Sequence, residues 1–327
     1  MTLDGFTDAL DKTEFGGTYV GNLSALATLP DPAAEGAAPN SAPSPAPGSA
    51  PGPILALSDR SALFTLDPAT LRPTAVAALH DENGHDLDSE ALVVEPDGTL
   101  LITSETEPSI RHYRRDGTLL PGRLPVPAPL LVGPAGRASR NLTFEGLTLQ
   151  PGGRTLIASM EAGLGGDKGD LVRFQTWTRG SGTGEFRLGP QYAYRVDMAA
   201  GVSEITATGD GRLLVLERGY LPGFGNTIRI YLTDPARASD VSGVDQLIPG
   251  PGLTPMSKTL LVDLVNCPPL GATARQPEPN PLLDNVEGMT VLSRDPDGAL
   301  HLLLSSDDNH NPTQTTRLYR LTARLPS

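Results

Sequence analysis

Acidic side chains recur at both ends of a hairpin pattern that repeats along this sequence of 327 residues. In the first clear copy, two apolar segments flank an Asp-Gly turn at Asp97-Gly98, with Glu90 at the start and Glu105 at the end. Since the turn falls midway between the two glutamates, their side chains are expected to meet at the open end of the hairpin. Carboxylates held together in this way can bind a hard cation or exchange protons with a substrate.

The other copies of the pattern each have an opening residue, a turn and a closing acidic residue. The opening residues are Ser24, Glu90, Glu145, Ser203 and Glu287. The closing residues are Asp59, Glu105, Glu161, Glu217 and Asp307. An apolar residue follows each opening residue by two positions, at Leu26, Leu92, Leu147, Ile205 and Met289. This spacing selects Ser203, and not Glu204, as the opening residue of the fourth copy.

Two more strands are predicted in each repeat. A third strand ends in an aromatic residue, at Phe64, Tyr113, Phe174, Tyr231 and Tyr319. A fourth strand is predicted at residues 73–79, 124–131, 192–197 and 258–264. Four antiparallel strands that recur every ~40–60 residues predict an all-β fold, a β-propeller of five blades, with six possible. The last repeat lacks a fourth strand, so the segment before Gly21 is expected to supply it and close the ring.

Composition narrows the choice of partners. The formal net charge of −13 argues against nucleic acid or an anionic membrane. Cys267 is the only cysteine, which excludes an intramolecular disulfide and a thiolate zinc cluster. The repeats favour one domain over residues 1–327, interrupted at 31–53 by a Pro/Ala-rich tract that is expected to be extended and mobile.

A propeller fold would bring the repeated acidic residues together around its central channel, where they could bind a metal ion. The first strand of each blade lines the central channel, so the five opening residues are expected to form an inner ring, with the closing residues in a second ring on the same face. Crowded carboxylates repel one another, and a hard cation with oxygen ligands relieves this repulsion. Calcium fits such a ring, and the scarcity of Cys and His disfavours zinc. The acids could instead cap strand edges or bond to the backbone of the neighbouring blade.

The order of short motifs carries a family resemblance. The segments GNLSAL, SEAL, FEGL, GVSE and NVEGM occur in this order. The chain resembles the bacterial propeller family called esterase-like activity of phytase, from about Phe6 onward apart from the Pro/Ala tract. The ring order Ser, Glu, Glu, Ser, Glu also resembles that of the calcium-dependent apyrases. The family resemblance implies an exported, calcium-binding hydrolase of ester or phosphoester bonds, secreted or periplasmic. The sequence starts without a signal peptide, which leaves the cytoplasm open.

A mechanism follows as a hypothesis. Glu105 or Glu161 would remove a proton from a water bound near the ion. Three cationic residues, Arg60, Arg218 and Lys168, would pair with oxygens of a small anionic ester, although the two arginines could merely form ion pairs between blades. A monomer is expected. The alternatives are a non-enzymatic propeller with a structural calcium that binds a protein or glycan, and a lactonase-like hydrolase.

Overall fold

The structure is a computed structural model, and it describes residues 1–29, 51–181 and 184–326. The N-terminal segment contains β1 (Thr2–Thr7), β2 (Thr13–Phe15) and β3 (Thr18–Val20). Blade I contains β4 (Leu23–Thr28), β5 (Ile54–Ser58), β6 (Ala62–Leu66) and β7 (Pro73–Ala78). Blade II contains β8 (Leu92–Val94), β9 (Leu100–Ser104), β10 (Ser109–Tyr113) and β11 (Leu119–Arg123). The predicted excursion at 31–53 lies outside the described residues, except for its last three positions.

The remaining blades follow the same antiparallel order. Blade III contains β12 (Phe144–Leu149), β13 (Thr155–Met160), β14 (Leu171–Thr178) and β15 (Arg187–Arg195). Blade IV contains β16 (Gly201–Ala207), β17 (Leu213–Leu221), β18 (Gly225–Thr233) and β19 (Thr259–Asp263). Blade V contains β20 (Asn285–Arg294), β21 (Leu300–Asp307), β22 (Leu318–Ala323) and β1. The predicted five-bladed, all-β propeller is confirmed.

Helical structure in the described residues consists of two short 3-10 turns, at Ala128–Leu130 and Leu264–Asn266. No helix in this part of the chain is long and apolar enough to cross a membrane.

The N-terminal segment closes the ring, as the sequence predicts. Strand β1 pairs antiparallel with β22, with Thr2 opposite Thr322 and Thr7 opposite Leu318. Just after β1, the Asp8 carboxylate accepts hydrogen bonds from Arg317 Nε at 2.6 Å and Nη2 at 2.9 Å. The Arg317 guanidinium is fully buried and also donates to backbone carbonyls of the link before blade V. A charge-assisted contact therefore fastens the two ends of the propeller.

The fourth strand of blade II differs from its prediction. The sequence pattern predicts residues 124–131, whereas the strand is Leu119–Arg123 and the predicted segment ends in a 3-10 turn. A tight turn at Asp116-Gly117 returns the chain directly after β10, with Gly117 at φ 85°. Three prolines at 125, 127 and 129 lack the N–H that a strand ladder needs. The apolar residues of this segment instead cover the contact between blades II and III.

The core lies between adjacent blades, because side chains alternate across each sheet. In β9, Leu100 and Ile102 pack toward blade I, and Leu101 packs toward blade III. The first strands β4, β8, β12, β16 and β20 pack against one another in a closed ring. This ring of first strands forms the wall of the central channel, and the candidate site lies at one end of that channel.

We predict that Asp8→Ala lowers the free energy of unfolding by about 3 kcal/mol, because it leaves a buried guanidinium without its carboxylate. Chemical denaturation measures the change. The matched control is Asp4→Ala, since among the described residues the exposed Asp4 carboxylate accepts only from the hydroxyls of Thr2 and Thr322. Equal losses in the two variants would contradict a closure role for Asp8.

Candidate metal centre and cavity

A β-bulge marks the opening residue of four blades. In blade I, Leu23 pairs with Ser58 but Ala25 pairs with Leu57, which leaves Ser24 as the extra residue. The same shift leaves Glu145, Ser203 and Glu287 unpaired in blades III to V. A bulge re-aims its side chain and is frequent beside active sites. The register therefore places Ser203, and not Glu204, at the equivalent position.

Blade II reaches the same arrangement just ahead of its short first strand. The Thr103 N–H donates to the Ala91 carbonyl, and the Glu105 N–H donates to the Asp88 carbonyl. Between these two hydrogen bonds, Ser89 and Glu90 of the first chain segment lie opposite the single residue Ser104, as in a β-bulge. The five opening residues share one structural position at the mouth of the channel.

The carboxylates at this mouth lie close to one another; Glu90, Glu105 and Glu145 are buried, and Asp88 and Glu161 are partly buried. Oxygens of Asp88, Glu90 and Glu105 lie within 4.8 Å of each other, as do oxygens of Glu105, Glu145 and Glu161. Burial and then repulsion from neighbouring glutamates raise the pKa of Glu90 and Glu145 well above the ordinary value. These groups must hold protons or a cation.

Glu287, Ser24 and Ser203 are the other three opening residues, and their surroundings show whether a hard cation would fit. Burial raises the pKa of Glu287 to about 7, although Arg218 opposes the shift. The buried Ser24 hydroxyl has no hydrogen-bond partner among the described residues, and Ser203 Oγ makes only long contacts of 3.4 and 3.5 Å to backbone carbonyls. The opening residues thus offer three acids and two weakly engaged hydroxyls, an oxygen-only set of the kind that suits calcium. Among the described residues, the carboxylates within 4.8 Å of one another join Glu90 and Glu145 to Glu105, and not to Glu287.

The second ring differs from its prediction in blade IV. In the other blades the closing acid lies opposite the residue two positions before the opening residue, in the pairs Asn22–Asp59, Asp88–Glu105, Thr143–Glu161 and Asn285–Asp307. In blade IV the residue two before Ser203 is Gly201, and it pairs with Arg218. The fourth closing residue is therefore Arg218, and its assignment to Glu217 was wrong by one position. A slip of one residue moves a side chain to the other face of the strand.

Glu217 consequently points away from the channel, toward blade III. Its carboxylate accepts from the Tyr194 hydroxyl at 2.6 Å and the Asp197 N–H at 2.9 Å, and it pairs with Lys258 Nζ at 2.5 Å. These three donors satisfy the buried carboxylate. Glu217 is a contact between blades and does not contribute to the ring.

Arg218 lies among the ring acids. Its Nη2 is 3.4 Å from Glu161 Oε1 and 3.4 Å from Glu287 Oε1, so it bridges blades III, IV and V. Nearby Glu287, Glu161 and Glu145 raise the pKa of the guanidinium against the effect of its burial. The contacts match the reading of Arg218 as an ion pair between blades.

An open cavity of about 740 Å³ lies above the ring. Its acidic lining residues are Asp59, Asp88, Glu90, Glu105, Glu287 and Asp307. Its carboxamide lining residues are Asn141, Asn226, Gln276, Asn285, Asn309, Asn311 and Gln314. Ser24, Tyr220, Arg60 and Arg218 complete the lining. The exposed Arg60 has its Nε 3.7 Å from Asp59 Oδ1.

Lys168 does not line this cavity. Its backbone N–H donates to the Leu247 carbonyl at 2.8 Å, in the link that covers the outer edge of blade III. The predicted contact with a substrate above the ring is therefore wrong for Lys168. Its loop instead packs outward, through Asp167 paired with the buried Arg173.

Sequence reasoning also missed residues at the site. Asp88 lines the cavity and belongs to the acidic cluster. It lies two residues before Glu90, and only the strand register shows that this position faces the cavity. Glu204 is buried in the channel wall below the mouth, where one carboxylate oxygen accepts from the N–H groups of Leu147 and Ile205. Burial raises its pKa well above the ordinary value. The Asn and Gln residues that line the cavity do not recur at equivalent positions of the repeats, so the sequence pattern did not identify them.

The family model described as esterase-like activity of phytase, of the phytase-like group, matches residues 41–310. The chain belongs to this phytase-like family. Among curated proteins, no match is found. Two similar solved structures are both distant from this phytase-like chain. A protein of unknown function from Bacteroides caccae has 12% identity and a TM-score of 0.36, covering 82% of this chain and 66%, just under two thirds, of its own. The WD40 repeats of RRP9 have 9% identity and a TM-score of 0.42, with 97% of each chain covered.

The raised pKa values predict how the stability of this phytase-like propeller depends on pH. Glu105 and Glu287 each have a folded pKa of about 7 against an ordinary 4.5, so the folded state binds more protons in this window. Stability from these groups is complete below about pH 4.5 and falls as the pH rises through 7. We expect the melting temperature in chelator to fall from pH 5 to pH 8, and saturating calcium to remove most of that fall. A rise in the melting temperature of the chelator-treated protein from pH 5 to pH 8 would contradict the presence of a crowded ring of buried carboxylates.

Proposed function

We propose that this protein is a calcium-dependent hydrolase of ester or phosphoester bonds, with its active site at the mouth of the central channel. The observation that carries the proposal is a set of buried, mutually close carboxylates at the floor of an open cavity, in a chain of the esterase-like phytase family. A buried acidic cluster under a cavity of this size suits a small-molecule substrate.

The residues that would hold the ion are Ser24, Glu90, Glu145, Ser203 and Glu287. When bound, calcium would polarise an oxygen of the scissile group and lower the pKa of a water. Rigid inner strands hold these donors, so binding requires little rearrangement of the backbone.

Glu105 is the residue best suited to accept a proton. Burial raises its pKa to about 7, which is close to the pH at which a general base works best. The Thr143 N–H donates to Glu105 Oε1 at 2.8 Å and orients the carboxylate at the cavity wall. Glu161 is the weaker candidate. Burial raises its pKa, and the Arg218 guanidinium, 3.4 Å from its Oε1, opposes that rise but already pairs with the carboxylate.

The two cavity arginines have different roles in this proposal. Arg60 is exposed at the wall, and within the described part of the chain its guanidinium makes only a long contact to Asp59, so it can pair with an anionic oxygen of the substrate. Arg218 is a positioning residue that fixes Glu161 and Glu287 and offsets part of their charge.

Replacement of Glu145 or Glu287 with Ala is expected to abolish calcium binding and ester hydrolysis together, since both acids belong to the ion site. Calorimetric titration of chelator-treated protein measures binding, and release of p-nitrophenol from its acetate and phosphate esters measures activity. The control is Glu217→Gln, which keeps a hydrogen-bonding side chain on the blade III side and should preserve both. Full activity in metal-stripped protein would reject the proposal, and calcium-dependent stability without turnover of any ester would favour a binding module.

Glu105→Gln is expected to separate binding from chemistry. The variant should still bind calcium, because the five ion-holding residues are intact, but its kcat should fall by about 10²–10⁴-fold. The limb of the pH–rate profile near pH 7 should disappear with it. A parallel loss of calcium affinity would show that Glu105 acts as a ligand instead.

A further inference from the structure

The wall above the ring is rich in carboxamides. Several are held in fixed orientations by neighbouring acids. Asn226 Nδ2 and Gln276 Nε2 both donate to Glu278 Oε1, at 2.7 and 2.8 Å, and Asn285 Nδ2 donates to Glu287 Oε1 at 2.8 Å. A carboxamide presents a donor and an acceptor side by side, as a hydroxyl group does. Oriented carboxamides therefore form a surface suited to ligand hydroxyls.

The charges of the cavity oppose a polyanion. Six carboxylate side chains and two guanidinium groups line it. One divalent ion would leave the lining negative when the acids are ionised. Arg218 is already paired with Glu161 and Glu287, so the more exposed Arg60, whose Nε is 3.7 Å from Asp59 Oδ1, is the lining cation better placed to meet an anionic group. One phosphate or carboxylate could be accommodated, whereas several would be repelled.

An aromatic side chain stands on one side of the cavity. Strands β17 and β18 continue beyond Arg218 and pair as far as Leu221 and Gly225. This extension places Tyr220 in the cavity lining, with 52% of its surface exposed. An exposed tyrosine ring packs against C–H faces while its hydroxyl stays hydrated.

We infer that the cavity recognises an ester of a polyhydroxylated carbon skeleton, such as a sugar or cyclitol, that carries at most one anionic group. Carboxamides bind the hydroxyls, and Tyr220 packs on the skeleton. The ester itself rests on the proposed function, whereas recognition of the skeleton does not.

Turnover of matched substrates by the calcium-loaded protein tests the inference. Glucono-1,5-lactone and glucose 6-phosphate offer free hydroxyls with no or one anionic group. Inositol hexakisphosphate has a cyclitol skeleton with six phosphates and no free hydroxyl, and p-nitrophenyl acetate has neither hydroxyls nor an anionic group. We expect Tyr220→Ala and Gln276→Leu each to raise KM for the hydroxylated substrates by about fivefold or more, with p-nitrophenyl acetate unchanged. The controls are Leu221→Ala, on the same hairpin, and Gln246→Leu, an exposed glutamine; neither lines the cavity.

Three outcomes would overturn the inference: a higher kcat/KM for inositol hexakisphosphate than for the other substrates, equal effects of the variants on all substrates, or effects of the control variants as large as those of the test variants. If no ester is hydrolysed, the proposed function fails by itself. Calorimetric titration with glucose and myo-inositol then decides recognition, because weakened binding in Tyr220→Ala supports it and absence of binding to the wild-type protein rejects it.

Discussion

The burial of several carboxylates around one axis is the constraint on which the site depends. An ionised acid in a low-dielectric interior must be neutralised by a proton or a cation. Arg218 provides a positive charge toward Glu161 and Glu287. Around Glu90, in blade II, the neighbouring charges that raise its pKa are all acidic, whereas Glu145 also lies near Arg218. The protein thus leaves its negative charge least balanced around Glu90, and a hard cation would restore the balance there.

The sequence predicted the parts of this design that repeat. Apolar alternation, Asp-Gly turns and the aromatic third strand suffice for five blades, and the constant spacing from each opening residue to the next apolar residue identifies Ser203 despite the adjacent Glu204. The spacing failed at Glu217 because the strand register, which sequence distance does not give, decides which of two neighbouring residues faces the channel. The prediction for Lys168 was wrong for another reason. Its loop packs against the link that contains Leu247, and no sequence pattern indicated where that link lies.

The proposed site combines two kinds of structure. The proposed ion donors lie at bulges on buried inner strands, which hold side chains to a narrow range of positions. The proposed recognition surface lies on the long hairpin of blade IV and on links around blade V, which carry Gln276 and Asn309. Loops can vary without disturbing the core. If the proposed site is correct, related chains could keep the acidic floor and change the residues of the cavity wall.

Strand β1 closes a sheet whose other members come from the opposite end of the chain. Thr2 and Thr322 meet across 320 positions of sequence. Such a distant pairing closes a loop that spans nearly the whole chain, which carries an entropic cost in folding. Ser24 in the first blade and Glu287 in the last face the same channel mouth. The proposed cation pocket therefore requires the complete ring of blades, and its affinity for calcium would report whether that ring is closed.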